Sequence, residues 1–226
     1  MIELTDVTLR YKSGVEGLSE LSLLVEDGEL CFITGGSGSG KSTLSKLLTG
    51  ELLPTAGSVK VNGYLMSSRK LSNKTRAEAR RTIGMVFQDY RLIENMTVDQ
   101  NLEFAMHCVG AAPETIEKRI PEVLQLVEMS NMGNRYPSEL SGGEQQRIAI
   151  ARAIINHPSV IIADEPTGSL DPFLSKEIMD LFYKINQFGT TIIIISHDIA
   201  LIKCYNRRII SIANGKIAFE VNRHLR

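Results

Sequence analysis

The sequence has no apolar run long enough to cross a bilayer, since no window reaches the roughly 18 uncharged apolar residues a span requires. At Met1-Ile2-Glu3-Leu4-Thr5-Asp6 it also lacks the basic stretch and apolar segment of a secretory leader. Any membrane link is therefore expected to come through a partner. Excess charge of one sign is missing too. With 25 Lys and Arg against 26 Asp and Glu, the net charge is -1. That balance gives no electrostatic reason for nucleic acid or an anionic membrane surface to be the main partner. Cysteine is scarce: Cys31, Cys108 and Cys204 are odd in number, without metal-ligand spacing. They read as reduced thiols in the cytosol rather than a disulfide framework. No internal repeat or low-complexity tract occurs. What remains is a chain of 226 residues with 43% hydrophobic content, enough for one large domain or a core carrying an inserted subdomain.

Against these absences stands Gly35-Gly36-Ser37-Gly38-Ser39-Gly40-Lys41-Ser42-Thr43, which matches the phosphate-loop pattern of Gly, four residues, then Gly-Lys-Ser/Thr. The glycines let the backbone turn without side-chain clashes. Successive N–H groups then point into one hollow, at the positive end of the helix that follows. Lys41 is placed for the outer phosphates and Ser42 for magnesium, so the expected ligand is a nucleoside triphosphate. Leu30-Cys31-Phe32-Ile33 before the loop and Leu44-Ser45-Lys46-Leu47-Leu48 after it supply the strand and helix that the motif requires. Without that context, an accidental match is expected on the order of once per hundred chains of this size.

Residues 2 to 11 alternate loosely, and Leu18 to Val25 form a second strand-like run before the Glu26-Asp27-Gly28 turn. Pro54-Thr55-Ala56-Gly57 leads into a strand from Ser58 to Val61, and Asn62-Gly63 signals a hairpin, so a small sheet is expected beside the nucleotide. Residues 66 to 81 gather Arg69, Lys70, Lys74, Arg76, Arg80 and Arg81 around Glu78, which reads as a solvated loop and helix face. Ile83-Gly84-Met85-Val86-Phe87 returns to strand character and delivers Gln88. Helical patterns follow, placing an inserted subdomain over 89–156 and the core over 1–88 and 157–226. Within the insertion, Ile116, Ile120, Val123 and Val127 recur at helical spacing and predict one buried face.

Val160-Ile161-Ile162-Ala163 ends in Asp164-Glu165, and Thr191-Ile192-Ile193-Ile194-Ile195 ends in Ser196-His197. Both runs read as buried parallel strands, whose carboxyl ends collect ligands in open α/β sheets. An acidic residue closing such a strand suits magnesium, a hard cation that takes oxygen ligands, which assigns Asp164. Glu165 is placed to orient and deprotonate an attacking water. His197, one strand away, is placed to touch the outer phosphate or hold that water. Arg208 to Ala213 and Lys216 to Glu220 close the chain as a hairpin around Asn214-Gly215.

Leu140-Ser141-Gly142-Gly143-Glu144-Gln145-Gln146-Arg147 opens a plainly helical run with a serine and two glycines at its N-terminus, a second anion site. Two phosphate sites so far apart in one chain suggest that the second serves another subunit. Two copies packed head to tail would then close two nucleotide sites. Tyr11, at a strand end, could stack on a purine base; for a lone Tyr, core or surface filler is the commoner role.

The run Ser141-Gly142-Gly143-Glu144-Gln145 resembles the signature motif of ATP-binding cassette (ABC) ATPases, and the family's companion motifs stand in order along essentially the whole chain. The resemblance implies an α/β P-loop NTPase fold: a RecA-like core, an antiparallel β-subdomain and an inserted helical subdomain in a single 226-residue domain. It implies ATP and Mg2+ as cofactors, with Lys41, Glu165 and His197 catalytic and adenine stacked on Tyr11. Gly35 through Thr43 would hold the phosphates. Gln88 is identified as the Q-loop glutamine, joining Ser42 and Asp164 at magnesium and linking that site to the helical subdomain. Ser141, Gly142, Gly143 and Glu144 would meet the partner copy's nucleotide, and Ser169-Leu170-Asp171 resembles the D-loop across the dimer. His197 is similar to the switch histidine. The implied assembly is a homodimer formed on ATP binding, cytoplasmic and held at the inner face of the plasma membrane by an integral membrane subunit.

Two stretches are informative about the branch: Val86-Phe87-Gln88-Asp89-Tyr90-Arg91-Leu92-Ile93 with Thr97-Val98, and Ala163 to Asp171. They resemble the branch of lipoprotein-release, macrolide-export and cell-division ATPases, the first being nearest the cell-division members. Ser169 stands where Asn is usual and Gln100 where Glu is usual; neither touches catalysis. An exporter ATPase is the alternative within the class. A soluble ABC protein acting on nucleic acid or ribosomes would generally carry two cassettes, and this chain has one phosphate loop. Residues 89–102 are expected to receive an amphipathic helix of the membrane partner through Tyr90, Arg91 and Leu92, with Val98 and Leu102 serving as packing.

Overall fold

Strands with apolar side chains on both faces must be covered above and below, and this requirement sets the layers of the molecule. The computed structural model describes residues 1–68 and 71–221, so Arg69 and Lys70 of the basic segment lie outside the described residues. The first half of the chain comprises β1 (Ile2–Arg10), β2 (Glu16–Val25), β3 (Leu30–Thr34), α1 (Lys41–Leu48), β4 (Ala56–Val61), β5 (Tyr64–Leu65), α2 (Asn73–Arg81), β6 (Ile83–Phe87) and α3 (Val98–His107). Then come α4 (Pro113–Leu126), α5 (Gly142–Ile154), β7 (Val160–Asp164), α6 (Pro172–Asn186), β8 (Thr191–Ile195), α7 (Ile199–Lys203), β9 (Arg208–Ala213) and β10 (Lys216–Val221).

Strands β10-β9-β3-β8-β7-β6 form one sheet, parallel except for the terminal hairpin, and β2-β1-β4-β5 form a smaller antiparallel one. On the large sheet, Leu30, Phe32, Ile161, Ala163, Ile192 and Ile194 join the helices α3 to α6 in one buried cluster. The intervening residues Cys31, Ile33, Val160, Ile162, Ile193 and Ile195 pack with α1 and the antiparallel sheet in the other. Burial pushes the Cys31 thiol far above its ordinary range, which keeps it inert.

Ile116, Ile120 and Val123 are buried along α4, with Val127 at its end, the face expected from their spacing. Gln100 closes a capping box with Thr97 at the start of α3, a task Gln performs as Glu does. The buried Asn101 side chain bonds backbone groups of Ile93, Met96 and Thr97, fixing the loop that precedes α3. Among the described residues no helix is long and apolar enough to cross a membrane.

The basic segment presents the expected exposed face at Lys74, Arg80 and Arg81, and Arg76 and Arg80 also bond to backbone. Arg80 donates to the carbonyls of Thr49 and Gly50, each at 3.0 Å, and Arg76 to those of Gly50 and Ser68. The last carbonyls of a helix find no intrahelical N–H donor, and the arginines supply one, so α1, which follows the phosphate loop, is tied at its far end by α2.

Helix α5 lies so close to β6 that a Cβ at Gly84 would run into the carbonyl oxygen of Ala153. Gly84→Val should therefore overpack this joint at a cost of about 1–3 kcal/mol. At about 2–4 °C per kcal/mol for a domain of this size, thermal denaturation should show a midpoint lowered by roughly 2–12 °C. An unchanged midpoint would mean that α5 does not rest on β6.

Candidate functional site

The β3–α1 connection is built by close approach. A Cβ at Gly35 would run into the Ile212 carbonyl oxygen, and Gly40, at φ 113°, lies against the carbonyl of Gly17. No side chain caps the start of α1, so its first N–H groups remain directed at the loop. Lys41 Nζ crosses the hollow to the carbonyl oxygens of Gly35 (2.7 Å) and Gly36 (2.9 Å). Among the described residues the buried Ser39 hydroxyl has no hydrogen-bond partner, an unfilled demand for a ligand atom. Tyr11 stands beside this loop, its hydroxyl 2.8 Å from Thr43 Oγ1 and its ring edge next to Gly17.

Strand register brings the other residues to the same end of the sheet. Ile33 pairs with Ile195, Ile195 with Asp164, and Asp164 with Phe87. The phosphate loop, Ser196-His197, Asp164-Glu165 and Gln88 thus emerge side by side from four adjacent strands. Glu165 has a left-handed backbone, φ 49°, and its N–H donates to the Ile195 carbonyl. Such a conformation costs on the order of 1–3 kcal/mol and has to be held by its surroundings. Here it carries the carboxylate across to His197, with Oε2 2.9 Å from Nδ1. Glu165 is 17% exposed and His197 70%, and the pair lines a cleft of about 170 Å3 together with Thr167, Gly168 and Ser196.

Gln88 turns toward Gly168, where a Cβ would come within 3.0 Å of its Nε2. Burial, then the neighbouring Glu165 charge, raise the Asp164 carboxyl above its ordinary range, while Lys41, Arg91 and Lys46 pull it down. A divalent cation would act in the same sense as those cations. The donors gathered nearby, an Asp carboxylate, a Ser hydroxyl and a Gln amide oxygen, are the hard oxygen ligands that magnesium takes. The residues present therefore fit Mg2+.

Ser141 caps α5, and its hydroxyl donates to Glu144 Oε2 at 2.6 Å. That bond and the Ser141 backbone N–H hold the Glu144 carboxyl below its usual range. Gly142 and Gly143 adjoin Tyr90 and Leu174, where added Cβ atoms would press on the Tyr90 hydroxyl and the Leu174 side chain. Among the described residues, the hydrogen bonds of Ser141 and Glu144 stay within the start of α5 and do not reach the phosphate loop of the same chain.

Arg152 is the residue that reading the motifs passes over. Its guanidinium donates to the carbonyls of Tyr90 (2.7 Å) and Arg91, two consecutive residues at φ 56° and φ 50°. The helix that begins at Ser141 thereby grips, near its other end, the segment following Gln88. A signal was present: Arg152 is the one charged residue in the apolar run from Ile148 to Ile155.

The residues expected to dock the membrane partner differ in exposure: Arg91 is exposed, while Tyr90 and Leu92 are half-buried. Leu92 packs part-buried against the main hydrophobic cluster, and burial raises the Tyr90 hydroxyl above its usual range. Val98 and Leu102 are buried, as expected. A nearby groove, of about 420 Å3, is formed by β6, the ends of α2, α3 and α5, and Arg91.

The chain belongs to the ABC transporter family, whose sequence model matches residues 18–168, and it is an ATP-binding and ATP-hydrolysing cassette. The dimeric post-hydrolysis structure of the ATP-binding cassette MJ0796 bound to ADP and Pi aligns with it over 100% of both chains, with a TM-score of 0.88 at 35% identity. Within the family it is similar to the cell division ATP-binding protein FtsE. The Mycobacterium tuberculosis (strain ATCC 25618 / H37Rv) protein is 42% identical over 224 residues, 99% of this chain and 96% of that protein. FtsE of Escherichia coli (strain K12) is 39% identical over 217 residues, 96% of this chain and 97% of that protein.

Proposed function

We propose that this chain is the ATPase subunit of a membrane complex of the FtsE kind. It would dimerise on ATP and pass that closure to an integral membrane subunit resembling FtsX, and so control cell-wall hydrolases at division. The observation that carries the catalytic part is the meeting of Lys41, Asp164 and the Glu165–His197 pair at one end of the sheet, apart from Ser141 at the start of α5. In this reading Lys41 and the N–H groups of residues 36–43 bind the phosphates. Glu165 positions the attacking water and accepts its proton. His197 holds the Glu165 carboxylate in place through Nδ1 and leaves the far side of its ring for the outer phosphate. Tyr11 offers its ring to adenine from beside the loop.

Magnesium would be held by Ser42, Gln88 and Asp164, and would neutralise the charge that develops on the phosphate oxygens. Ser141, with Gly142, Gly143 and Glu144, serves the nucleotide of the opposite copy, its hydroxyl exchanging Glu144 for a phosphate oxygen. The core is taken as 1–88 with 157–226 and the helical subdomain as 89–156, with α5 spanning between them. The protein sits at the cytoplasmic face through its membrane subunit, to which FtsE-like length and motifs point.

Mixing variants tests the shared site. Lys41→Ala and Ser141→Arg should each be inactive as homodimers. Together they form heterodimers in which one site combines an intact phosphate loop with an intact Ser141. Phosphate release from the mixture should exceed that of both parents; a mixture as inactive as its parents overturns the head-to-tail arrangement. Co-purification of an FtsX-like membrane subunit from native membranes tests the rest, and its absence from the complex would remove the cell-division assignment.

A further inference from the structure

Tyr11 ends the first strand of the small antiparallel sheet and Thr43 lies in the first turn of α1, yet their side chains meet. The Tyr11 hydroxyl is 2.8 Å from Thr43 Oγ1, a bond between groups 32 residues apart. Thr43 is 7% exposed and Tyr11 37%, so the contact is anchored inside the fold while the ring reaches solvent.

Three restraints fix that ring in the free protein. The turn joining β1 to β2 ties the Tyr11 backbone twice: its N–H donates to the Val15 carbonyl at 2.8 Å, and its carbonyl accepts from the Gly14 N–H at 2.9 Å. Thr43 pins the hydroxyl. Gly17 closes the third side, where a Cβ would come within 2.8 Å of the ring carbon Cε2 and 3.0 Å of Thr43 Oγ1 and Cγ2. The Gly17 backbone has no left-handed φ, so what this glycine contributes is room for the two side chains to touch. The same stretch is fastened to the phosphate loop through backbone. The Gly17 carbonyl lies against Gly40, the Ser19 N–H donates to the Gly215 carbonyl at 2.9 Å, and the Gly215 N–H donates to the Ser39 carbonyl at 2.9 Å.

A hydroxyl has one proton to donate and room for two to accept. When Tyr11 donates to Thr43, the Thr43 proton is left for a phosphate oxygen, and the two bonds polarise each other in the same direction. When Thr43 donates to Tyr11, it has no proton to offer an anion. A triphosphate in the loop therefore selects the first direction and strengthens the bond that holds the ring.

We propose that Thr43 and Gly17 are positioning residues for the base: they hold the Tyr11 ring in the orientation it presents to adenine, and the Tyr11–Thr43 bond couples recognition of the base to recognition of the phosphates. The inference rests on the reading of Tyr11 as the adenine platform and adds what sets its orientation. Because the ring is ordered before the ligand arrives, stacking on it loses less entropy than stacking on a free side chain.

Isothermal titration with a non-hydrolysable ATP analogue and, separately, with inorganic tripolyphosphate, which has no base, tests the coupling. Tyr11→Phe keeps the ring and removes the hydroxyl. Its Kd for the analogue should rise about two- to tenfold, the worth of one ordinary hydrogen bond, and its Kd for tripolyphosphate should change less. Thr43→Val should weaken both ligands, and Thr43→Ser, which restores the hydroxyl, should recover the analogue's affinity. The Tyr11→Phe, Thr43→Val double variant should bind the analogue no more weakly than Thr43→Val alone, the mark of a shared bond. Additive losses in the double variant overturn the coupling, and a Thr43→Ser variant as weak as Thr43→Val would assign the effect to methyl packing and overturn it too. If Thr43→Val does not fold, Tyr11→Phe decides by itself, since its side chain is at the surface. Parent affinity for the analogue in Tyr11→Phe, or equal loss of both ligands, overturns the proposal and leaves the stacking reading standing. Parent affinity in Tyr11→Ala would overturn both.

Discussion

Glu165→Gln should reduce steady-state phosphate release by roughly 10²–10⁴-fold, the range for loss of a general base, while ATP affinity stays near that of the parent. The substitution keeps the size of the side chain and its bond to His197. An amide oxygen can still accept from His197 Nδ1 at the 2.9 Å position, but the negative charge that makes the carboxylate a base is lost. The left-handed backbone at φ 49° belongs equally to Gln, so the fold around the site should survive. With closure allowed and hydrolysis blocked, ATP-loaded dimer should accumulate on size-exclusion chromatography. Turnover at the parent rate, or no ATP-dependent dimer, would remove Glu165 from the role of base.

Lys41→Ala should be as damaging to activity but different in kind. Nζ spans the Gly35 and Gly36 carbonyls across the hollow, and in the bound state it would meet the outer phosphates. Truncation removes a cation that neither N–H groups nor water replace. Loss of one preorganised electrostatic contact of this type costs about 10²–10³-fold in rate. Because the same contact also binds the ground state, the ATP Kd should rise together with the fall in kcat, whereas Glu165→Gln changes kcat alone. Isothermal titration with non-hydrolysable ATP beside a phosphate-release assay separates the two. An unchanged Kd and rate for Lys41→Ala would overturn the phosphate-loop assignment.

Where local pattern and tertiary demand agree, the elements lie where the sequence places them. Gly40-Lys41-Ser42 begins α1, Ile83 to Phe87 is β6, and the runs ending at Asp164 and Ile195 are buried parallel strands. Each of these carries its own signal, whether a glycine-rich turn or a continuous apolar run bounded by polar residues. The stretch from Asp89 to Leu92 was harder. Its mixture of aromatic, charged and apolar side chains is equally suited to a docking surface or to packing, and only the tertiary structure shows Arg91 exposed with Tyr90 and Leu92 half-buried. Arg80, exposed, and Arg76, half-buried, have a second role as donors to backbone. Charge periodicity cannot reveal that the end of another helix, about 30 residues away, presents carbonyls lacking partners.

The sequence by itself determined the chemistry on offer: a phosphate-binding loop, acidic and imidazole groups at strand ends, a second serine-glycine helix start, and no membrane-spanning run. These are local properties, written in residues that are neighbours in the chain. Only the tertiary structure decided which of them meet. The pairing of Glu165 with His197 depends on β7 and β8 being adjacent and on one residue held in a left-handed turn. The hold of Arg152 on the segment after Gln88 depends on α5 lying flush against β6, over a glycine that leaves room for it. Both bring together groups 32 and 62 residues apart, and contact over that distance is set by sheet order and close packing, which no local pattern encodes.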